Sequence, residues 1–250
     1  MPANIRLVSA ADILADQIDY YRARAGEYDE WWFRTGRYDR GAEFNAQWHA
    51  ETAAVDECVQ GWLAARRPAD VLELACGTGL FTRRVAPRVA RLTAVDASPE
   101  VIAINRARVG AGNVEYVEAN LFAWRPARRY DAVLFTFWLS HVPEERFAAF
   151  WNLVADALAP GGAAYLVDSA FDPTSTAKDH ALPGREAGVV TRKLNDGREF
   201  RIVPAIRTML IDIAVMPGID IAALRLRRTT PVAGGCIVIP GALRAGARME

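Results

Sequence analysis

Two carboxylates and two glycines spread over residues 71–96 carry the strongest chemical signal in this chain. Glu73 sits in an apolar run with Val71, Leu72 and Leu74, and the small-residue turn Ala75-Cys76-Gly77-Thr78-Gly79 follows at once. A helix-compatible segment then leads to a second apolar run, Leu92, Ala94 and Val95, which ends in Asp96. Strand, glycine turn, helix and strand, with an acid at the second strand's tip, is a unit that binds an adenosine-containing cofactor at the carboxyl edge of a parallel sheet. Gly77 and Gly79 allow a tight bend and leave room for a ligand where a Cβ would intrude. Asp96 stands where a carboxylate can accept hydrogen bonds from both ribose hydroxyls.

The spacing discriminates between cofactors. A dinucleotide pyrophosphate needs G-x-G-x-x-G, and here Thr82 occupies the third glycine position. An acid just before the turn, Glu73, suits a ligand with a cationic amino group and no phosphates. S-adenosyl-L-methionine (SAM) is such a ligand. On these residues the chain resembles class I SAM-dependent methyltransferases, and further landmarks come in that family's order. Ala94-Val95-Asp96-Ala97-Ser98-Pro99 looks like its second motif, and Tyr116-Val117-Glu118-Ala119-Asn120-Leu121-Phe122 like its third-strand motif. Tyr130-Asp131-Ala132-Val133-Leu134-Phe135 resembles the fourth strand, and Leu158-Ala159-Pro160-Gly161-Gly162 the turn before the fifth. Asn120 replaces the usual Asp beside the adenine. The resemblance implies that Glu73 meets the cofactor's amino group and that Ala75, Gly77, Thr78 and Gly79 line its methionine part. Asp96 and Ala97 would hold the ribose, and Asn120, Leu121 and Phe122 the adenine.

Methyl transfer is an in-line displacement, so the protein must align two reactants and, for a neutral acceptor, remove a proton. His141, just beyond the fourth strand in Phe137-Trp138-Leu139-Ser140-His141-Val142-Pro143, is the candidate base. That edge faces the cofactor, and an imidazole titrates near neutrality. The alternative is that His141 caps the next helix or positions the cofactor's surroundings. Aromatic residues crowd both the leading segment and the fourth strand's end. Among them, Tyr21, Trp32 and Trp138 are candidates for an acceptor pocket that holds a flat molecule. Arg34, Arg37 and Arg40 share a loop with Asp29, Glu30 and Asp39, where mutual pairing in solvent is expected over recognition of an acidic acceptor.

The elements that must position these groups follow from pattern. Residues 9–67 have helical spacing, with Phe44, Trp48, Val55, Val59 and Trp62 along one long amphipathic helix. Strand and helix then alternate from about 70 to 168, as an α/β, doubly wound, Rossmann-like, mostly parallel sheet requires. We therefore expect one methyltransferase domain over 1–250: an N-terminal helical lid (1–67), a cofactor-binding core (68–170) and a C-terminal completion (171–250). Ser98-Pro99-Glu100 is a helix start, with a cap residue before proline at the first helical position. Residues 189–203 read as a hairpin turning at Asn195-Asp196-Gly197. In the resembling family a last hairpin completes the sheet, but residues 205–250 lack the usual aromatic-rich final strand.

Composition narrows the function classes. With 52% hydrophobic and 24% charged residues and zero formal net charge, no basic field argues for nucleic acid. Three cysteines fit neither a metal site nor a disulfide framework. No apolar run reaches membrane-spanning length. The expectation is a cytoplasmic enzyme acting on oxygen or nitrogen of a small, aromatic or heteroaromatic acceptor, with no metal, and with a homodimer allowed. Two rivals are a SAM-fold protein that binds cofactor in a regulatory role and an NAD(P)-dependent oxidoreductase.

Overall fold

The computed structural model describes residues 10–169, 176–180, 190–202 and 236–241. Five parallel strands form its centre: β1 (Asp70–Leu74), β2 (Arg91–Asp96), β3 (Val114–Glu118), β4 (Tyr130–Thr136) and β5 (Leu158–Ser169). A sixth strand, β8 (Cys236–Gly241), pairs antiparallel with β5, giving the order β3-β2-β1-β4-β5-β8. The order reverses at β1, which lies between β2 and β4. That reversal opens a crevice at the strands' carboxyl ends, the usual ligand position in such a sheet. The doubly wound α/β class is what the sequence pattern predicts.

The central strands are apolar on both faces because helices cover both. β1 is buried throughout, as expected of a parallel strand. Its side chains alternate between two cores. Leu72 and Leu74 join Phe135, Phe150, Trp151 and Val154 on the face covered by α6 (Glu144–Ala157). Val71 joins Val55, Val59, Leu63, Phe81 and Val85 on the face covered by α3 (Ala42–Arg66) and α4 (Thr82–Val85). The period of two places Glu73 on the same side as Val71.

Local signals explain several boundaries. α5 (Pro99–Val109) starts where Ser98 Oγ accepts the Val101 amide at 3.1 Å and stops at Gly110 with φ +59°. The predicted long helix is α3, whose buried Trp48, Val55, Val59 and Leu63 face the core. Residues 158–162, read from sequence as a turn, are instead the irregular start of β5, with a register shift between Tyr130 and Ala132. A Cβ on Gly162 would lie 2.9–3.1 Å from the carbonyl oxygens of Ala159, Tyr130 and Asp131. Only glycine lets the strand pass that closely.

The leading segment forms α1 (Ala10–Arg24), the short α2 (Glu30–Phe33) and a 3-10 turn at Gly36–Tyr38. The predicted hairpin is present as β6 (Val190–Lys193) and β7 (Glu199–Ile202), with Gly197 at φ +91°. It does not complete the main sheet, however. It forms its own two-stranded sheet packed on α1, with Tyr20, Leu194 and Ile202 buried between them. Ion-pairing of Arg201 with Asp16 at 2.7 Å and the bonds of Asn195 to Glu27 and Glu30 fasten the hairpin to the lid. The apolar segment 209–216 lies outside the described residues.

Candidate active site

The crevice at the strand reversal is a cavity lined by the ends of β1, β2 and β4 and by α1. The ends of β1 and β2 form one wall. Asp96 accepts hydrogen bonds from the Gly77 amide (Oδ2, 3.0 Å) and the Ser98 amide (Oδ1, 3.0 Å). Burial raises its pKa against the lowering effect of these backbone donors. Each carboxylate oxygen keeps lone pairs for a ligand. At Gly77, with φ +55°, an added Cβ would meet no protein atom within 4 Å, so the space it would enter belongs to the cleft. Ala75 and Phe137, at the tips of β1 and β4, hold the left-handed region with φ +51° and +53°. Such strain in non-glycine residues gathers at functional sites.

Buried residues behind the turn hold its shape. Asn105 Nδ2 donates to the Gly77 carbonyl at 2.9 Å and to Thr82 Oγ1 at 2.8 Å, and its Oδ1 accepts from Tyr116 Oη at 2.9 Å. From the lid, Asp29 accepts from Thr78 Oγ1 at 2.5 Å and pairs with Arg108. Arg108 in turn donates to the Thr78 carbonyl at 2.8 Å. Sequence inspection missed Asn105, Asp29 and Arg108, because nothing local marks a side chain that acts across the fold.

Most predicted site residues meet in the cleft. Ala75, Gly77, Asp96, Ala97, Asn120, Leu121 and Phe122 line it, as do Tyr21, Trp138 and His141. Asn120 Oδ1 accepts the Phe122 amide at 3.0 Å, which leaves its amide N–H groups as donors. Thr78 borders a smaller adjoining cavity. Three further predicted residues line neither cavity. Glu73 turns beneath the sheet, 2% exposed, with Thr82 as its hydrogen-bond partner. Burial pushes its carboxyl up to about 8, so it is largely protonated at neutral pH. Strand alternation points the side chain away from the mouth, and the carboxyl does not line the cleft. Gly79 is tightly packed, since a Cβ there would lie 2.6 Å from Asn105 Oδ1. Trp32 is core, with its ring 5.5 Å from Phe81 and 5.8 Å from Phe137.

His141 ends a 3-10 turn after β4, Leu139–His141. Asp168, fully buried on β5, fixes this turn by accepting from the Ser140 amide at 2.8 Å and hydroxyl at 3.0 Å. Tyr21 Oη lies 3.2 Å from both ring nitrogens of His141. Burial, then nearby Arg24 and Arg192, lowers the imidazole to about 4. It is therefore neutral at physiological pH and a weak proton acceptor. Arg37 pairs with Asp179 and Arg40 donates to the Thr176 carbonyl, both outside the lid loop, and Arg34 is buried with its guanidinium 4.0 Å from the Trp48 ring centre.

The fold and the cleft define a Rossmann-like protein with a cavity at its strand reversal. Residues 71–162 match the methyltransferase domain family. The chain is 38% identical to DhpI in its solved complex with SAH, covering 80% of this chain and 83% of that one with a TM-score of 0.61. A DhpI–SAM–HEP complex gives 39% identity, 78% and 83% coverage and a TM-score of 0.60. The chain belongs to the class I SAM-dependent methyltransferases. Among curated proteins it is similar to trans-aconitate 2-methyltransferase of Streptomyces avermitilis, 38% identical over 44% of this chain and 43% of that one. It is also similar to a ubiquinone biosynthesis O-methyltransferase of Xylella fastidiosa, 30% identical over 62% and 66%. The chain thus spans about half the length of the curated relatives it matches. Among the described residues, no helix is long and apolar enough to cross a membrane, and no three His, Cys, Asp or Glu side chains cluster as metal ligands.

Proposed function

We propose that this protein is a SAM-dependent methyltransferase that acts on oxygen or nitrogen of a small molecule, with lid, core and C-terminal region working as one domain. The single observation that carries the reading is the Asp96–Gly77 arrangement at the strand reversal, with open space above Gly77. The solved DhpI complexes with SAH and SAM support the same cofactor here.

In this reading Asp96 accepts from the ribose hydroxyls. Gly77 and Ala75 admit the methionine part, and Asn120 with Leu121 and Phe122 borders the adenine. When bound, SAM supplies an electrophilic methyl group. The protein's work is then to exclude water and aim the acceptor along the line of displacement. Tyr21, Tyr28, Phe137 and Trp138 wall the cleft together with Asp96 and His141, which suits a flat acceptor, aromatic or heteroaromatic. His141 orients the acceptor or takes its proton, in partnership with Tyr21.

The test is a calorimetric titration with SAM, SAH and NADH, followed by an acceptor panel scored for SAH release. Micromolar binding of SAM and SAH with SAH release supports the reading. Preferential binding of NADH restores the oxidoreductase rival, and tight SAM binding without SAH release from any acceptor favours a regulatory binder.

A further inference from the structure

Among the described residues, two of those lining the cofactor cleft carry a buried polar atom without a hydrogen-bond partner, Gln17 at Oε1 and Trp138 at Nε1. Gln17 sits on α1 and is 3% exposed. Its Nε2 donates to the His141 carbonyl at 3.3 Å, and only the nitrogen end of a carboxamide can make that bond. The oxygen end is therefore the one left over. A buried carbonyl oxygen without a donor costs stability unless a ligand supplies one. Trp138 Nε1 is a donor and cannot meet the same kind of group.

Other acceptors on this wall already have donors. Asp96, assigned to the ribose, accepts the amides of Gly77 and Ser98. Ser98 Oγ accepts the Val101 amide and donates to Glu100. Asn120, just beyond β3, is oriented the opposite way to Gln17. Its Oδ1 accepts the Phe122 amide at 3.0 Å, so its N–H groups are what it offers a ligand.

An acceptor on the lid and a donor beyond β3 complement the edge of adenine, whose exocyclic amino group donates beside a ring nitrogen that accepts. Resting on the SAM reading above, we propose that Gln17 reads the cofactor's base: its Oε1 accepts an N–H of the adenine amino group, while Asn120 donates to the neighbouring ring nitrogen. Gln17 is then a specificity residue supplied by the lid rather than by the sheet. A base with a carbonyl in place of the amino group sets one acceptor against another at Gln17, and its ring N–H opposes the donor at Asn120.

The experiment measures calorimetric Kd values for SAH, its 6-deamino analogue (purine in place of adenine) and S-inosylhomocysteine, with wild type and Gln17→Met. Methionine keeps the length of the side chain and removes the acceptor. Wild type should bind SAH about 10-fold more tightly than the 6-deamino analogue, with the inosine compound weakest. In Gln17→Met that preference should shrink to about twofold or less, because the variant loses affinity for SAH and not for the analogue. A purely structural role would weaken both ligands alike and leave the preference standing, which would overturn the proposal. Equal binding of SAH and its 6-deamino analogue by wild type would overturn it too, and that measurement needs no variant to fold. A raised KM for the methyl acceptor with the base preference intact would place Gln17 at the acceptor instead and so reject the assignment. Failure of the wild-type protein to bind SAM and SAH at all would sink the underlying cofactor reading rather than this step.

Discussion

The carboxylate of Asp96, at the tip of β2, accepts the amide of Gly77 at 3.0 Å, so the strand-end acid and the glycine turn are one hydrogen-bonded unit. Removing the acid therefore takes away both a ligand contact and a brace. Asp96→Ala should weaken SAM binding by about 1–3 kcal/mol, as loss of charge-assisted hydrogen bonds does. Isothermal calorimetry checks this, and an unchanged affinity would mean that the ribose sits elsewhere.

The two glycines of the turn should respond differently to alanine. At Gly77 the added methyl enters open cleft space, so the expected stability loss is only the about 1–2 kcal/mol of a left-handed alanine, while SAM binding falls sharply. At Gly79 the methyl meets Asn105 Oδ1 at 2.6 Å with φ +88°, and we expect a stability loss of about 2–5 kcal/mol from strain plus overpacking. Urea unfolding alongside SAM titration separates the two. Equal behaviour of both variants would contradict the assigned roles.

Asp29 ties the lid to the turn through Thr78 and Arg108. The Arg108 and Asp29 side chains are only 23% and 22% exposed, which moderates solvent screening. Asp29→Ala should lower stability by about 1–2 kcal/mol and should make α1 and α2 more susceptible to limited proteolysis. A double-mutant cycle with Arg108→Ala measures the coupling, and simple additivity would show the pair to be idle.

His141 gives a pH signature. Its imidazole is lowered from 6.5 to about 4 by burial and by Arg24 and Arg192. Between those values the unfolded chain binds the proton and the folded chain does not, so His141 costs stability as pH falls through that window. Glu73, raised from 4.5 to about 8, acts oppositely: the folded chain keeps a proton that the unfolded chain loses, so stability falls as pH rises from 4.5 to 8. Comparing wild type with His141→Asn at pH 7 and pH 4.5 isolates the first effect. The stability of the variant relative to wild type should improve on acidification, and a constant difference would rule out the buried neutral imidazole.

Buried parallel strands read as apolar runs ended by turns, so β1, β2 and β4, together with the Ser98-Pro99 helix start, were legible in the sequence. Asp96 was legible for the same reason, since a strand-end acid after a glycine turn has a fixed place. The direction of the Glu73 side chain was not legible, because it depends on which face of β1 the helices α3 and α4 cover, and that is a tertiary fact. Ala75 and Phe137 adopt left-handed backbone that their side chains disfavour, so no propensity could have announced it. Arg24 on the lid helix and Arg192 on a hairpin docked against that helix line one cavity, and that meeting leaves no local trace. The bulge at Gly161-Gly162 mimics a turn because glycine serves both uses.

The most direct test is competitive titration of the wild-type protein and Asp96→Ala with SAM and NADH, followed by intrinsic tryptophan fluorescence. The account predicts saturable SAM binding in wild type, clear weakening in the variant and no competition from NADH. Displacement of SAM by NADH, or equal SAM affinity in the two proteins, would contradict it.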